Sequence, residues 1–358
     1  MSDNEELGEK ARRGAALRGD LTQGPILRTL ITFSIPTLFA NLLQTLGGTI
    51  NTIWVGQLLG EGALAATANA NIVIFLAFAF VFGFGMAATV RVGQHFGARD
   101  IVAARRVFGT GTGFCVALSV LGMVAGWFYA SELLHLLATP AAIRQPALDY
   151  IRVSFLAMPF STIGMMVSMG MRGAGDARTP FYAMILSTVI GIALNPLLIL
   201  GWGPIPAMGI GGSALANLVA NIGSAGLMIA LAYRRDLPLR LRGKELAYLL
   251  PLREELNYVL SKGLPQGAQM LINSSAGVIM VGLVNREGML TTAAYGAVLQ
   301  IWNYIQMPSF AISMGVSAMV AQNVGAGKHD RVGKVTRAGI WANTAVTVVM
   351  MGLLLAFD

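Results

Sequence analysis

Apolar residues in this chain gather into runs much longer than a soluble helix needs, and short polar connections break them at regular intervals. A helix crosses the ~30 Å hydrocarbon layer with about 20 mostly apolar residues, because each residue rises about 1.5 Å. Nine runs reach that length, at 26–52, 65–91, 107–130, 147–171, 179–201, 211–233, 257–285, 291–319 and 334–357. The pattern predicts an all-α, polytopic membrane protein. The first 25 residues are polar, mixed in charge and without the apolar core of a cleaved signal, so they read as a solvated tail.

Composition agrees, with 55% hydrophobic and only 12% charged residues, where soluble domains carry about 25% charged. The net charge of +8 does not indicate nucleic acid, because the cations sit between apolar runs rather than on one aromatic-rich face. The single Cys115 lies in an apolar run and excludes an internal disulfide. With the N-terminus inside the cell, 22 of the 25 Lys and Arg fall in inner segments, and only Arg144, Arg152 and Arg286 fall outside. That asymmetry predicts a cytoplasmic N-terminus and a multi-pass protein of the cell (inner) membrane. The longest charged connection, residues 234–256, alternates basic with apolar residues; it reads either as an amphipathic segment along the cytoplasmic membrane surface or as a plain linker.

An internal repeat organises the runs. SIPTLFANLLQTLGGTINTIWVGQ, from Ser34, matches GLPQGAQMLINSSAGVIMVGLVNR, from Gly263, with Pro36 on Pro265 at an offset of 229. Further on, GMAATVRVGQHFGARD matches GVSAMVAQNVGAGKHD, placing Gln94 on Gln322, Gly97 on Gly325 and, after a two-residue insertion, Asp100 on Asp330. An even number of helices separates the copies, so both enter the membrane in the same direction as parallel repeats. The expected plan is a tail (1–25), a six-helix N-lobe (26–233), the linker (234–256) and a partial C-lobe of three helices (257–358). A complete second copy would end near about residue 462, so three helices are expected to be missing.

No Asp or Glu lies deep in a predicted span; amides occur there at helical spacing instead. Gln44, Gly48 and Asn51 share one face of the first helix, with Asn41 nearby; Ser213, Asn217, Asn221 and Ser224 form a stripe on the sixth. Gln266, Gln269 and Asn273 do so on the seventh, and Gln300, Asn303 and Tyr304 on the eighth. Amides facing lipid cost several kcal/mol each, so the stripes face other helices or water. They read either as interhelical glue, worth roughly 0.6 kcal/mol per bond, or as the lining of a shared polar cavity. Pro196, in ALNPLLIL, removes a backbone donor, giving either a static kink or a broken helix at a transport site. In the inner loops Arg91, Gln94, Arg99 and Asp100, then Arg172, Asp176 and Arg178, and Gln322 in the second copy, read as hinge and ion-pair elements or as charge anchors for topology. The three histidines lack metal-ligand spacing, and no phosphate loop, catalytic triad or dinucleotide fingerprint is present, so no metal site and no enzyme is expected.

The set IP…Q…IWVG with ALAA, VGQHFGARD, RGAGDARTP, LNPLLI and the second-copy LP…AQNVGAG resembles the multidrug and toxic compound extrusion family over about residues 25–357. The resemblance implies a secondary antiporter of two six-helix lobes that expels cationic or amphipathic organic compounds in exchange for sodium ions or protons by alternating access. Many members carry an Asp where this chain has Asn51, an Asp where it has Asn195, and in one branch a Glu where it has Asn273. An amide takes up no proton near neutral pH, although its oxygen can hold sodium. In place of carboxylate-based proton coupling, the first lobe is expected either to bind sodium transiently at Asn51 and Asn195 through neutral oxygens or to be uncoupled; a further family acid falls on the tenth helix, absent from this sequence.

The expected cavity comprises Asn41, Gln44, Asn51, Asn195, Asn217, Asn221, Gln269, Asn273, Gln300 and Asn303. A monomer in the lipid bilayer is expected, taking small-molecule substrates and needing no cofactor beyond its coupling ion. The alternatives are a lipid-linked saccharide flippase, a channel or scaffold, and an inactive fragment. A flippase needs cations in its cavity, and the absence of Lys or Arg deep in a span favours the exporter.

Overall fold

The computed structural model describes residues 19–136, 139, 141–201 and 206–356. Nine α-helices follow one another among these residues: α1 Ile26–Leu59, α2 Glu61–Gly97, α3 Ile101–Leu136, α4 Ala141–Gly173, α5 Arg178–Leu200, α6 Gly209–Arg234, α7 Arg253–Arg286, α8 Met289–Gly325 and α9 His329–Ala356, with a 3₁₀ segment at Gly243–Leu249. Eight of them, α1 to α8, are long and apolar enough to cross a membrane. The ninth predicted span lies in α9 except for residue 357, which is outside the described residues, as are the tail cations Lys10 to Arg18.

The repeat is visible in the backbone. Helices α1 and α7 are both 34 residues long, with Pro36 and Pro265 inside them; α2 and α8 are both 37 residues long. After α2, Ala98 N bonds Gln94 O, Arg99 N bonds Phe96 O and Asp100 N bonds His95 O; after α8, Ala326 N, Gly327 N and Lys328 N repeat those bonds onto Gln322, Val324 and Asn323. In both turns one residue takes the left-handed conformation that reverses the chain, Arg99 (φ 61°) and Gly327 (φ 70°). This geometry corrects the expected pairing of Asp100 with Asp330. Asp100 is equivalent to Lys328, with no insertion, and Asp330 sits in the first turn of α9. The shared Asp matched letters across a turn whose register is set by its left-handed residue.

The Arg- and Lys-rich ends of the helices collect at one end of the bundle, called here the basic end. Val92, Phe96, Ile101, Phe108, Met171, Ala232, Leu237 and Leu239 form one core there; Leu21, Leu30, Phe33, Ala177, Met319 and Val335 form another that joins α1, α5, α8 and α9. The two homologous turns meet face to face. A Cβ on Gly97 would lie 1.9 Å from Gln322 O, and one on Gly325 would lie 1.7 Å from Gln94 O, so only glycine lets the two backbones approach this closely. Gln322, fully buried, accepts from Leu21 N (2.9 Å) and donates to Gly173 O (3.0 Å), tying the segment before α1 to the end of α4.

The connection between the lobes packs on protein. Its apolar positions Leu237, Leu239 and Leu241 are buried, Arg105 of α3 donates to Pro238 O (2.8 Å) and to Glu245 (2.6 Å), and the backbone of Tyr248 and Leu249 lies against Gly109 and Gly113 of α3. The alternation that reads as a membrane-surface stripe thus buries its leucines under α3, while Leu246 and Leu250 remain exposed. Glycines on α3 make this fit by removing the side chains that would hold the segment off.

Candidate substrate and ion cavity

Three contiguous cavities run through the bundle. The innermost, about 510 Å³, lies between α1, α2, α4, α5 and α6; a second, about 740 Å³, lies between α1, α5 and α6 toward the end opposite the basic one; a third, about 340 Å³, lies between α1 and α8. Gln44 lines all three, so they adjoin one another at this side chain. Volumes of a few hundred Å³ suit drug-sized molecules.

The first helix positions its amides as its period predicts. Asn41 and Gln44 face the inner cavity and the α1–α8 groove, and Asn51 faces the second cavity. Asn51 Oδ1 also accepts from Ser213 Oγ on α6 at 2.7 Å, so one side chain both fastens two helices and lines the space between them. Asn217 and Asn221 line both larger cavities, and Asn221 Nδ2 donates to Ser161 Oγ of α4 at 2.9 Å. Gln300 and Asn303 line the groove.

Asn195 is 2% exposed and borders the second cavity. Its Nδ2 donates to Gly191 O at 3.2 Å, while its Oδ1 has no partner. Pro196, next in the chain, has no N–H to offer the carbonyl of Ile192, which lines the same cavity. A buried amide oxygen without a partner beside the cavity is a potential ligand for a hard cation.

Two expected members are absent from these walls. Gln269 and Asn273 are exposed on α7 and line none of the three cavities. Helix α7 meets α2 through Gly263 and Gly267, whose backbones approach Phe84 and Gly83 too closely for a larger residue, and Met270 on the same face reaches the inner cavity. That contact fixes the rotation of α7 and turns the Gln266, Gln269 and Asn273 stripe about a quarter-turn aside.

The cavity also recruits residues that the amide pattern passes over. Tyr150, Ser154, Ser161 and Ser168 of α4 line the inner cavity with Asn71 and Ser187, and Tyr150 OH donates to Asn71 Oδ1 at 3.4 Å. Ser154, Ser161 and Ser168 repeat every seven residues, a visible signal, but a lone membrane serine usually satisfies itself on its own backbone. Arg172 ends the same face and lines the inner cavity rather than serving only the loop. No Asp or Glu lines any of the three, and no group of three His, Cys, Asp or Glu among the described residues could hold a metal.

The remaining loop residues stay at the basic end. Arg91 Nε lies 3.8 Å from Glu255 and its guanidinium 4.8 Å from the Tyr258 ring, joining α2 to α7. Asp100 caps α3 through Ala103 N at 3.0 Å. Asp176 accepts from Arg178 N, Thr179 N and Thr179 Oγ1 at the start of α5.

The MatE family model matches residues 36–197 and 265–358, beginning in each copy at the repeated proline. The chain belongs to the MatE family. It is 35% identical over 333 residues to "Probable multidrug resistance protein YoeA" of Bacillus subtilis (strain 168), covering 93% of this chain and 72% of that one. It is 25% identical over 315 residues to a "FAD transporter" of Shewanella oneidensis, covering 88% and 69%. Among solved structures, a MATE in complex with MaL6 superposes with a TM-score of 0.87 at 21% identity, covering 96% of this chain and 74% of that one. The all-helical, repeated plan of this MatE chain is that of a membrane transporter fold.

Proposed function

We propose that this MatE chain exports amphipathic organic compounds, cationic ones included, as a secondary antiporter working by alternating access in exchange for sodium ions or protons. The observation that carries the reading is the group of adjoining cavities, polar yet free of acids, whose lining reaches Arg172 near the end of α4. The Lys and Arg asymmetry supports a cytoplasmic location for the basic end, and on that orientation the conformation is closed inward. Cationic compounds meet amide oxygens and the faces of Phe78, Phe82 and Phe310 rather than a fixed negative charge. Relatives differ in cargo, as the multidrug resistance and FAD transporter names attest, so the lining and not the fold sets the choice.

Coupling uses neutral oxygens: Asn195 Oδ1 and the Ile192 carbonyl offer sodium a site near Asn51 without taking up a proton. A lipid-linked saccharide flippase needs a cationic cavity; with Arg172 as the single cation among the described residues lining it, the exporter remains the better reading. Cells expressing the protein are expected to accumulate less of a fluorescent amphipathic dye, and unchanged accumulation across several dyes refutes export. Asn51→Ala with Asn195→Ala is expected to abolish the sodium dependence of efflux; a double variant with unaltered ion dependence rules out this coupling site.

A further inference from the structure

Arg172 is the charged side chain that lines the inner cavity, one residue before the end of α4. It is partly buried, and its Nε is sealed from solvent without a partner. An unpartnered Nε is shared by Arg91, Arg144, Arg152 and Arg331, but those side chains have other partners: Glu255 and Tyr258 for Arg91, the Trp127 ring for Arg152, and backbone carbonyls for Arg144 and Arg331; Arg105 has Glu245 and Arg240 has Asp236. The acid closest in sequence, Asp176, is turned to the start of α5, and Gly173 O beside it is taken by Gln322. An uncompensated guanidinium away from bulk water is costly, and an anion arriving in the cavity relieves that cost.

We infer that Arg172 is an anion-binding subsite at the cytoplasmic end of the cavity, which selects amphipathic organic anions, a carboxylate or phosphate on an aromatic body. Resting on the export reading, the inference specifies its cargo. The planar fork of guanidinium donors suits either oxyanion in bidentate fashion. Ser154, Ser161 and Ser168, at seven-residue intervals, run down the same wall toward Arg172 and can hand a polar group along it, while Phe78 and Phe82 accept the aromatic body. The absence of carboxylates from the lining leaves nothing to repel an anion on that path.

Two xanthene dyes of similar shape and opposite charge test this on the purified full-length protein, by fluorescence anisotropy. Wild type is expected to bind carboxyfluorescein more tightly than rhodamine 123. Arg172→Gln is expected to weaken carboxyfluorescein on the order of ten- to a hundredfold, since a hydrogen bond to a charged group is lost, while rhodamine 123 stays the same or tightens. Arg172→Lys, which keeps the charge but not the fork, is expected to fall between. Labelling of Arg172 in wild type by phenylglyoxal, read by mass spectrometry, is expected to be blocked by carboxyfluorescein and not by rhodamine 123, a measurement that needs no variant. Carboxyfluorescein binding that ignores Arg172→Gln, or failure to protect Arg172, overturns the subsite and leaves export of rhodamine 123 standing. Binding of neither dye to wild type overturns the export reading and this one together.

Discussion

Helices α1 and α7 are copies of one another, equal in length and with a proline inside each, yet their polar stripes end in different surroundings. Asn41, Gln44 and Asn51 of α1 line the cavities, while Gln269 and Asn273 of α7 are exposed. The difference lies in what each helix packs against. Helix α7 is seated on α2 by Gly263 and Gly267, and that contact rather than its amides chooses its rotation. Inherited backbone and working surface are therefore separable: the repeat preserves turns and lengths, and small residues decide which face works.

The largest test of this comparison is at the turns, where the copies do match. Gly325→Ala, with its new Cβ directed at Gln94 O, is expected to cost on the order of 1–3 kcal/mol as overpacking, read as a fall in Tm and loss of dye efflux. Gly333→Ala, whose added Cβ meets nothing within 4 Å, serves as its control. Equal Tm and efflux for the two variants would break the claim that the turns form the seal. Gln322→Ala is expected to follow, because it leaves Leu21 N and Gly173 O without partners, at roughly 1–3 kcal/mol for an unpaired buried group, again visible in Tm.

Arg99→Gly makes the first turn like the second. It should stabilise the protein by about 1 kcal/mol, since a side chain in the left-handed region is strained, and a lower Tm would show that Arg99 has contacts outweighing that strain. The smallest stability effect separates the two amide stripes. Asn51→Ala removes the Ser213 bond, worth roughly 0.6 kcal/mol, and should lower dye efflux, whereas Asn273→Ala should leave both stability and efflux intact. Equal loss of efflux in the two would place α7 in the cavity after all.

Much of this was readable from the chain alone. The number of helices, the repeat and the convergence of Asn41, Gln44, Asn51, Asn217 and Asn221 follow from hydrophobic length and amide spacing. Sequence spacing gives the residues that share a face but not the direction in which that face points, and α7 shows the gap. The neighbouring RGAG turn makes Arg172 read as a loop residue, yet a side chain near a helix end leans back toward the N-terminus and so reaches into the cavity. The connection between the lobes carries an alternation that suits lipid and protein equally well, and glycines more than a hundred residues earlier in α3 let part of it pack on protein while Leu246 and Leu250 stay exposed.

The meeting of Gly97 with Gly325 has one more consequence. The surfaces in contact are peptide groups, which every amino acid supplies, so this contact at the basic end does not depend on which side chains line the cavities. Side chains of the lining such as Ser161 or Arg172 can therefore change without disturbing the backbone seam that joins the two copies.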